Sequence, residues 1–118
     1  MKRTGEGPLS LVEQFAKYLS NIPYSKDSVL LTDRRDTVMV SDCMYRGYRF
    51  RFFIDCGELD YTAYILRGDK VYTRFSDVAN NHDGIVPKGA QVIRLDRDPL
   101  SLLSREEYKA LETWLIGE

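Results

Sequence analysis

Positions 45–54 read Tyr45-Arg46-Gly47-Tyr48-Arg49-Phe50-Arg51-Phe52-Phe53-Ile54. After Gly47 this stretch alternates at period two, the mark of a β-strand with two unlike faces. Tyr48, Phe50, Phe52 and Ile54 fall on one side, and Arg49, Arg51 and Phe53 on the other. A row of four large apolar side chains has to be covered by another layer of the molecule. The opposite row then stands on an outer surface. This strand therefore predicts a sheet with helices packed on one side.

The flanking segments supply both parts. Ser10-Leu11-Val12-Glu13 has the pattern of a capping box, and Val12, Phe15, Ala16 and Leu19 follow at helical spacing. Ile22-Pro23 ends the pattern, since the residue before proline avoids helical angles. A helix is expected over 11–20. Ser104-Arg105-Glu106-Glu107 is a second capping box. It opens a final helix with Tyr108, Leu111, Trp114 and Leu115 on its apolar side.

Between the helices lie short alternating runs. Strands are expected over 28–32, 37–42, 47–55, 59–66, 70–75 and 91–95. Asp33–Asp36, Cys56-Gly57-Glu58 and the tight Gly68-Asp69 loop separate successive runs. Leu59, Tyr61, Ala63 and Ile65 share one face. A helical turn is expected at 77–80 and a polar loop at 80–84. The layout is α+β: an antiparallel meander of five to six strands, with an N-terminal and a C-terminal helix on one face. At 118 residues the chain is expected to form a single domain over 1–118, with 1–8 a flexible tail.

The formal net charge is −1, which argues against a bulk polyanion binder. The charge is uneven along the chain. Residues 34–74 carry eight basic and six acidic side chains, and 96–118 carry three basic and six acidic. Any basic surface is therefore local and central. The sequence has no apolar run of the roughly 20 residues a membrane helix needs. Its first residues lack the apolar core of a secretory signal. Cys43, placed at a hairpin turn, and Cys56, at the far end of the strand, are read as free thiols, because about ten residues of strand exceed a disulfide's reach. These features point to a cytoplasmic setting. No cofactor and no metal are expected.

If the helices cover the Tyr48 face, the outer face shows Met39, Arg49, Arg51, Phe53, Thr62, Tyr64, Tyr72 and Arg74. The candidate binding residues are Arg49, Arg51, Phe53, Tyr64, Tyr72 and Arg74. Aromatic rings stack on bases or bury against apolar groups, and guanidinium forks pair with carboxylates or phosphates. The expected function is a small non-enzymatic interaction module. Its partner is a protein or a second copy, or else single-stranded nucleic acid.

Residues 46–53 partly resemble the octapeptide of the RNA-recognition motif. Transferring that motif's phase would turn Arg49 and Arg51 into the core unpaired, at high cost. A meander also replaces its strand–helix–strand order, so the chain is not assigned to that family. The rival class is a small metal-independent ribonuclease, with arginines on the sheet and His82 acting beside Glu58 or Asp60. Asp55, Glu58 and Asp60 also cluster near one turn, but acidic turns are ordinary solvated structure.

Overall fold

The computed structural model describes residues 10–32, 40–75 and 85–117. The expected 1–8 tail, the Asp33–Asp36 turn, Met39, the helical turn at 77–80 and the loop bearing His82 lie outside them. Helix α1 spans Leu11–Asn21 and helix α2 spans Arg105–Ile116. Both begin with the expected capping boxes. The Ser10 and Ser104 hydroxyls accept from the N–H of Glu13 and Glu107, whose carboxylates accept in return from the Ser10 and Ser104 N–H. Each box satisfies two backbone donors that a helix start otherwise leaves open. α2 ends at Gly117 in the left-handed conformation that glycine adopts without strain.

Six strands form one sheet in sequential order: β1 (Val29–Leu30), β2 (Val40–Tyr45), β3 (Tyr48–Asp55), β4 (Glu58–Arg67), β5 (Lys70–Thr73) and β6 (Gln91–Arg94). All neighbours are antiparallel except β5 and β6, which run parallel. Two short 3-10 turns, Ile22–Tyr24 and Pro99–Leu102, follow α1 and precede α2. The fold is α+β, as the sequence pattern predicts.

The core lies between the sheet and the two helices. Phe15 of α1 meets Tyr48, Phe50 and Tyr72 edge-on, with ring centroids 5.2, 6.1 and 5.2 Å away. Leu111 and Leu115 of α2 join the same cluster with Phe52, Ile54 and Leu59. Fully burying an aliphatic or aromatic side chain contributes about 1.5–3 kcal/mol. This one layer therefore carries most of the hydrophobic stabilisation.

Two-residue turns set the register. Arg46-Gly47 joins β2 to β3 and Cys56-Gly57 joins β3 to β4, with all four residues at positive φ. Such turns match the natural twist of a hairpin. The first turn corrects the placement of Cys43. That residue sits inside β2, opposite Phe50, and its side chain is buried in the core. Cys43 and Cys56 are both free thiols.

β4 departs from simple alternation. Its register to β3 runs Leu59 to Ile54, Tyr61 to Phe53, Thr62 to Phe52 and Tyr64 to Arg51. Asp60 and Ala63 are therefore extra residues, each a β-bulge that reverses the phase of the strand beyond it. The C-terminal segment meets the backbone groups of this irregular strand. Leu59 N–H donates to Glu112 Oε2 at 2.9 Å, and Thr62 N–H donates to Asp98 Oδ2 at 2.8 Å. The Tyr108 hydroxyl donates to the Leu59 carbonyl. Unpaired backbone groups at this depth would be costly, so these side chains do the work of a neighbouring strand.

Candidate docking surface

The bulges re-sort the outer face. Arg49, Arg51 and Phe53 stand there, as the alternation of β3 requires. Thr62 does not: it lies opposite Phe52 on the helix-covered side and is buried. Tyr72 also belongs to that side. It pairs with Ile65 and packs on Phe15 and Tyr48. The physical reason is the tight Gly68-Asp69 loop, which pairs Tyr72 with Ile65 of the core face, so β5 runs with Tyr72 inward and Val71 and Thr73 outward. The two bulges act only between Leu59 and Ile65, where they turn Tyr61 outward and Thr62 inward. Arg74 follows Tyr72 in phase but stands exposed past the end of β5, its guanidinium 6.0 Å from the Phe75 ring.

Tyr64 is on the outer side of the sheet yet buried. It forms a second, smaller core with Leu66 and Val71, covered by Ile85, Val86, Ala90 and Val92. The segment around residues 85–90 thus roofs one corner of the outer face. That corner lies at the Arg49 end of β4 and β5, since Leu66 pairs with both Arg49 and Val71.

The two arginines share a carboxylate that alternation alone does not reveal. Asp42 lies directly opposite Arg51 across the β2–β3 pair, with its side chain wholly buried. Arg49 Nε donates to Oδ2 at 2.7 Å, and Arg51 Nη1 donates to Oδ1 and Oδ2 at 2.9 and 3.1 Å. Arg51 also stands over the Tyr64 ring, 5.8 Å from its centroid. The backbone of Asp42 is held as well: its N–H donates to Thr32 Oγ1, and its carbonyl accepts from the Leu31 N–H. A signal for this trio is present in the sequence. Placing the turn at Arg46-Gly47, where glycine fills the second position of a two-residue loop, brings Asp42 opposite Arg51.

Beside the trio runs a ladder of rings. Phe53 stacks on Tyr61 with centroids 5.1 Å apart and planes 20° apart, and Tyr61 meets Phe75 at 5.5 Å. Phe53 and Tyr61 are half-buried, and Phe75 is 39% exposed. Tyr61 and Phe75 take the place of Tyr64 and Tyr72 as the accessible aromatics of this face. On the far side of β2, Val29 pairs with Met44, which pairs with Arg49, so Val29 is outward too. Leu31, two residues on, shares its phase. Val29 is 50% exposed and Leu31 45%.

The other chemistry weighed from the sequence gains little. Burial, with the charge of Asp42 second, pushes the Cys43 thiol up to about 12, so it stays protonated and inert. Cys56 is exposed, and its thiol is also raised, chiefly by its hydrogen bond to Asp55. Asp55, Glu58 and Asp60 are exposed around the β3–β4 turn. Among the described residues no group of three or more histidine, cysteine or carboxylate side chains is placed to hold a metal ion. No described helix is long and apolar enough to cross a membrane.

Compared with protein-family models, curated proteins and solved structures, the chain matches none.

Proposed function

We propose that this chain is a small non-enzymatic interaction module that docks a protein partner on the outer face of its sheet. One observation carries the proposal. Five large apolar side chains are exposed among the described residues, and three of them, Val29, Leu31 and Phe75, lie on this one face. They flank the half-buried Met44, Phe53 and Tyr61. Single exposed apolar residues are ordinary, whereas several gathered on one face, here on either side of the Asp42 trio, mark an interaction surface. Aromatic rings and arginines are also the residues that anchor protein interfaces.

The Asp42 trio favours a protein over a nucleic-acid strand. Two guanidiniums that both donate to one buried carboxylate present less net positive charge than two free ones. A phosphodiester backbone draws its affinity from such charge. What the trio supplies instead is stiffness: the arginine stems are fixed, so less side-chain freedom is lost on docking.

The test is site-specific photo-crosslinking in cells, with a photoreactive phenylalanine analogue at Phe75, at Leu31 and, as control, at Tyr24 off this face. Discrete adducts at Phe75 and Leu31 with none at Tyr24 are expected. Absence of any protein adduct at both outer-face positions overturns the proposal. Cleavage of labelled RNA that His82→Ala abolishes would do the same in favour of an enzyme.

A further inference from the structure

We infer that the occupant of the outer face is a second copy of this chain, docked face to face about a two-fold axis. The inference rests on the docking reading above and assigns its partner.

The argument is the polarity of the face. Along the outer row of β3 the residues are Arg49, Arg51, Phe53 and Asp55, and Glu58 of β4 lies opposite Asp55. One end of the row is basic, the middle is aromatic and the other end is acidic. A surface that is positive at one end and negative at the other complements itself when turned through 180°. An axis in the plane of the interface, crossing β3 between Arg51 and Phe53, lays the two β3 strands antiparallel. Arg49 of each copy then faces Asp55 of the other, and each Phe53 ring meets the stem of the other copy's Arg51.

The shape of the face agrees with its charge. Residues 85–90 roof the Arg49 end of β4 and β5. At the opposite end β5 has stopped at Thr73 while β4 continues back to Glu58, and among the described residues the outer surface there carries the Tyr61 and Phe75 rings. The same two-fold sets the roof of one copy over the Tyr61 and Phe75 rings of the other. Arg49 suits the pairing because its Nε is spent on Asp42 while its side chain remains 32% exposed. Its terminal nitrogens are thus left to meet a carboxylate with the fork already oriented.

The footprint sets the expected strength. Four strands about 4.8 Å apart, over about six residues of 3.3 Å, span a few hundred Å² per copy. Stable interfaces bury about 800 Å² per partner. The dimer is therefore expected to be weak, with a dissociation constant in the micromolar range.

Sedimentation velocity over a concentration series, from low micromolar to near millimolar chain, tests this. The natural chain is expected to pass from monomer to dimer. Asp55→Arg places like charges at both ends of the pairing and should weaken the dimer at least tenfold. Phe75→Ser should weaken it several-fold, while Leu11→Ser and Tyr24→Ser, exposed elsewhere, leave it unchanged. Circular dichroism confirms that each variant is folded. A chain that stays monomeric throughout, or a dimer indifferent to both Asp55→Arg and Phe75→Ser, overturns the inference. A monomer that still gives a Phe75 photo-adduct with some other protein overturns self-association alone and leaves the docking face standing. No adduct at all removes both.

Discussion

The two faces of this sheet are built from the same strands by opposite means. On the helix-covered side, Phe50 and Phe52 are wholly buried against Phe15 and the apolar rows of α1 and α2, and stability comes from area removed from water. On the outer side the most deeply buried group of β2 is a carboxylate, Asp42, and the described surface beside it is rings and aliphatics left partly open to water. A buried ion group is a poor source of net stability, because desolvation cancels most of its attraction. What it does well is fix geometry. One face holds the molecule together, and the other is shaped at some expense to stability.

The sharpest way to break this contrast is to truncate neighbours on β3. Phe50→Ala should cost about 3–5 kcal/mol, the usual range for a fully buried ring. Phe53→Ala, one ring of a half-buried ladder, should cost about 1 kcal/mol or less. Urea unfolding of the two variants reads both values. Near-equal costs would mean that the outer ladder is core, and the docking proposal would lose its basis.

Asp42 comes next. Asp42→Ala removes the carboxylate that the two guanidiniums share. Breaking a fully buried pair costs about 3–5 kcal/mol, but Arg51 is 16% and Arg49 32% exposed and can turn to water. A loss of about 2–3 kcal/mol is expected. Replacing all three residues together with apolar ones of similar size should restore most of it, while abolishing docking. A triple variant that unfolds would show that the trio is needed for the fold itself.

How much of this contrast is legible in the sequence depends on where alternation holds. β3 has no irregularity, so period two alone places Arg49, Arg51 and Phe53 on the outer face. Both helices are readable from their capping boxes and apolar spacing, because those signals are local. β4 is not readable. Bulges at Asp60 and Ala63 leave no mark in a hydrophobic pattern, since Asp60-Tyr61-Thr62-Ala63-Tyr64 fits either phase about equally well. What decides the phase is tertiary: the Asp98 and Glu112 carboxylates, far along the chain, accept from the Thr62 and Leu59 N–H. The inward turn of Tyr72 is, by contrast, legible: the Gly68-Asp69 loop pairs it with Ile65 on the core face, and only reading β5 apart from that loop turns it outward. Asp42 escapes strict alternation for a smaller reason, a turn placed at Cys43 instead of Arg46-Gly47.

Alkaline pH probes the helix-covered face through its buried thiol. Cys43, on the core side, titrates at about 12 against an ordinary 9.0, because burial disfavours the thiolate. The folded state therefore holds its proton where the unfolded chain has released it. Between pH 9 and 12 the unfolded state binds fewer protons, so stability falls as pH rises, by up to about 1.4 kcal/mol per pH unit. Cys43→Ala should flatten that part of the stability curve, measured by urea unfolding from about pH 8 to 11 (roughly the range where tyrosines also begin to ionise). With a thiol reagent at neutral pH, Cys56 should react in the native protein and Cys43 only on unfolding. Fast native labelling of Cys43 would show that the helix-covered layer opens readily.

The smallest expected effect concerns the turns that keep both faces in register. Arg46 and Cys56 adopt φ of 53° and 54°, a conformation that costs an ordinary L-residue about 1 kcal/mol or more. Asparagine tolerates it best among non-glycine residues, and Asn-Gly is the preferred pair for such a turn. The two sites are not equivalent, however. Arg46 offsets its strain, with its guanidinium 5.6 Å from the Tyr18 ring and 6.0 Å from that of Tyr45. Arg46→Asn exchanges those contacts for relief of strain and should come out near neutral. Cys56 is exposed and hydrogen-bonded to its neighbour Asp55. Cys56→Asn should therefore stabilise by about 0.5–1 kcal/mol, seen as a rise in the urea midpoint. Because the β3–β4 turn also positions Asp55 and Glu58, the variant carries a second readout. If those carboxylates pair with Arg49 of another copy, a stiffer turn should hold or tighten the dimer, whereas a stabilised chain that dimerises less would mean that the acidic end must move to dock.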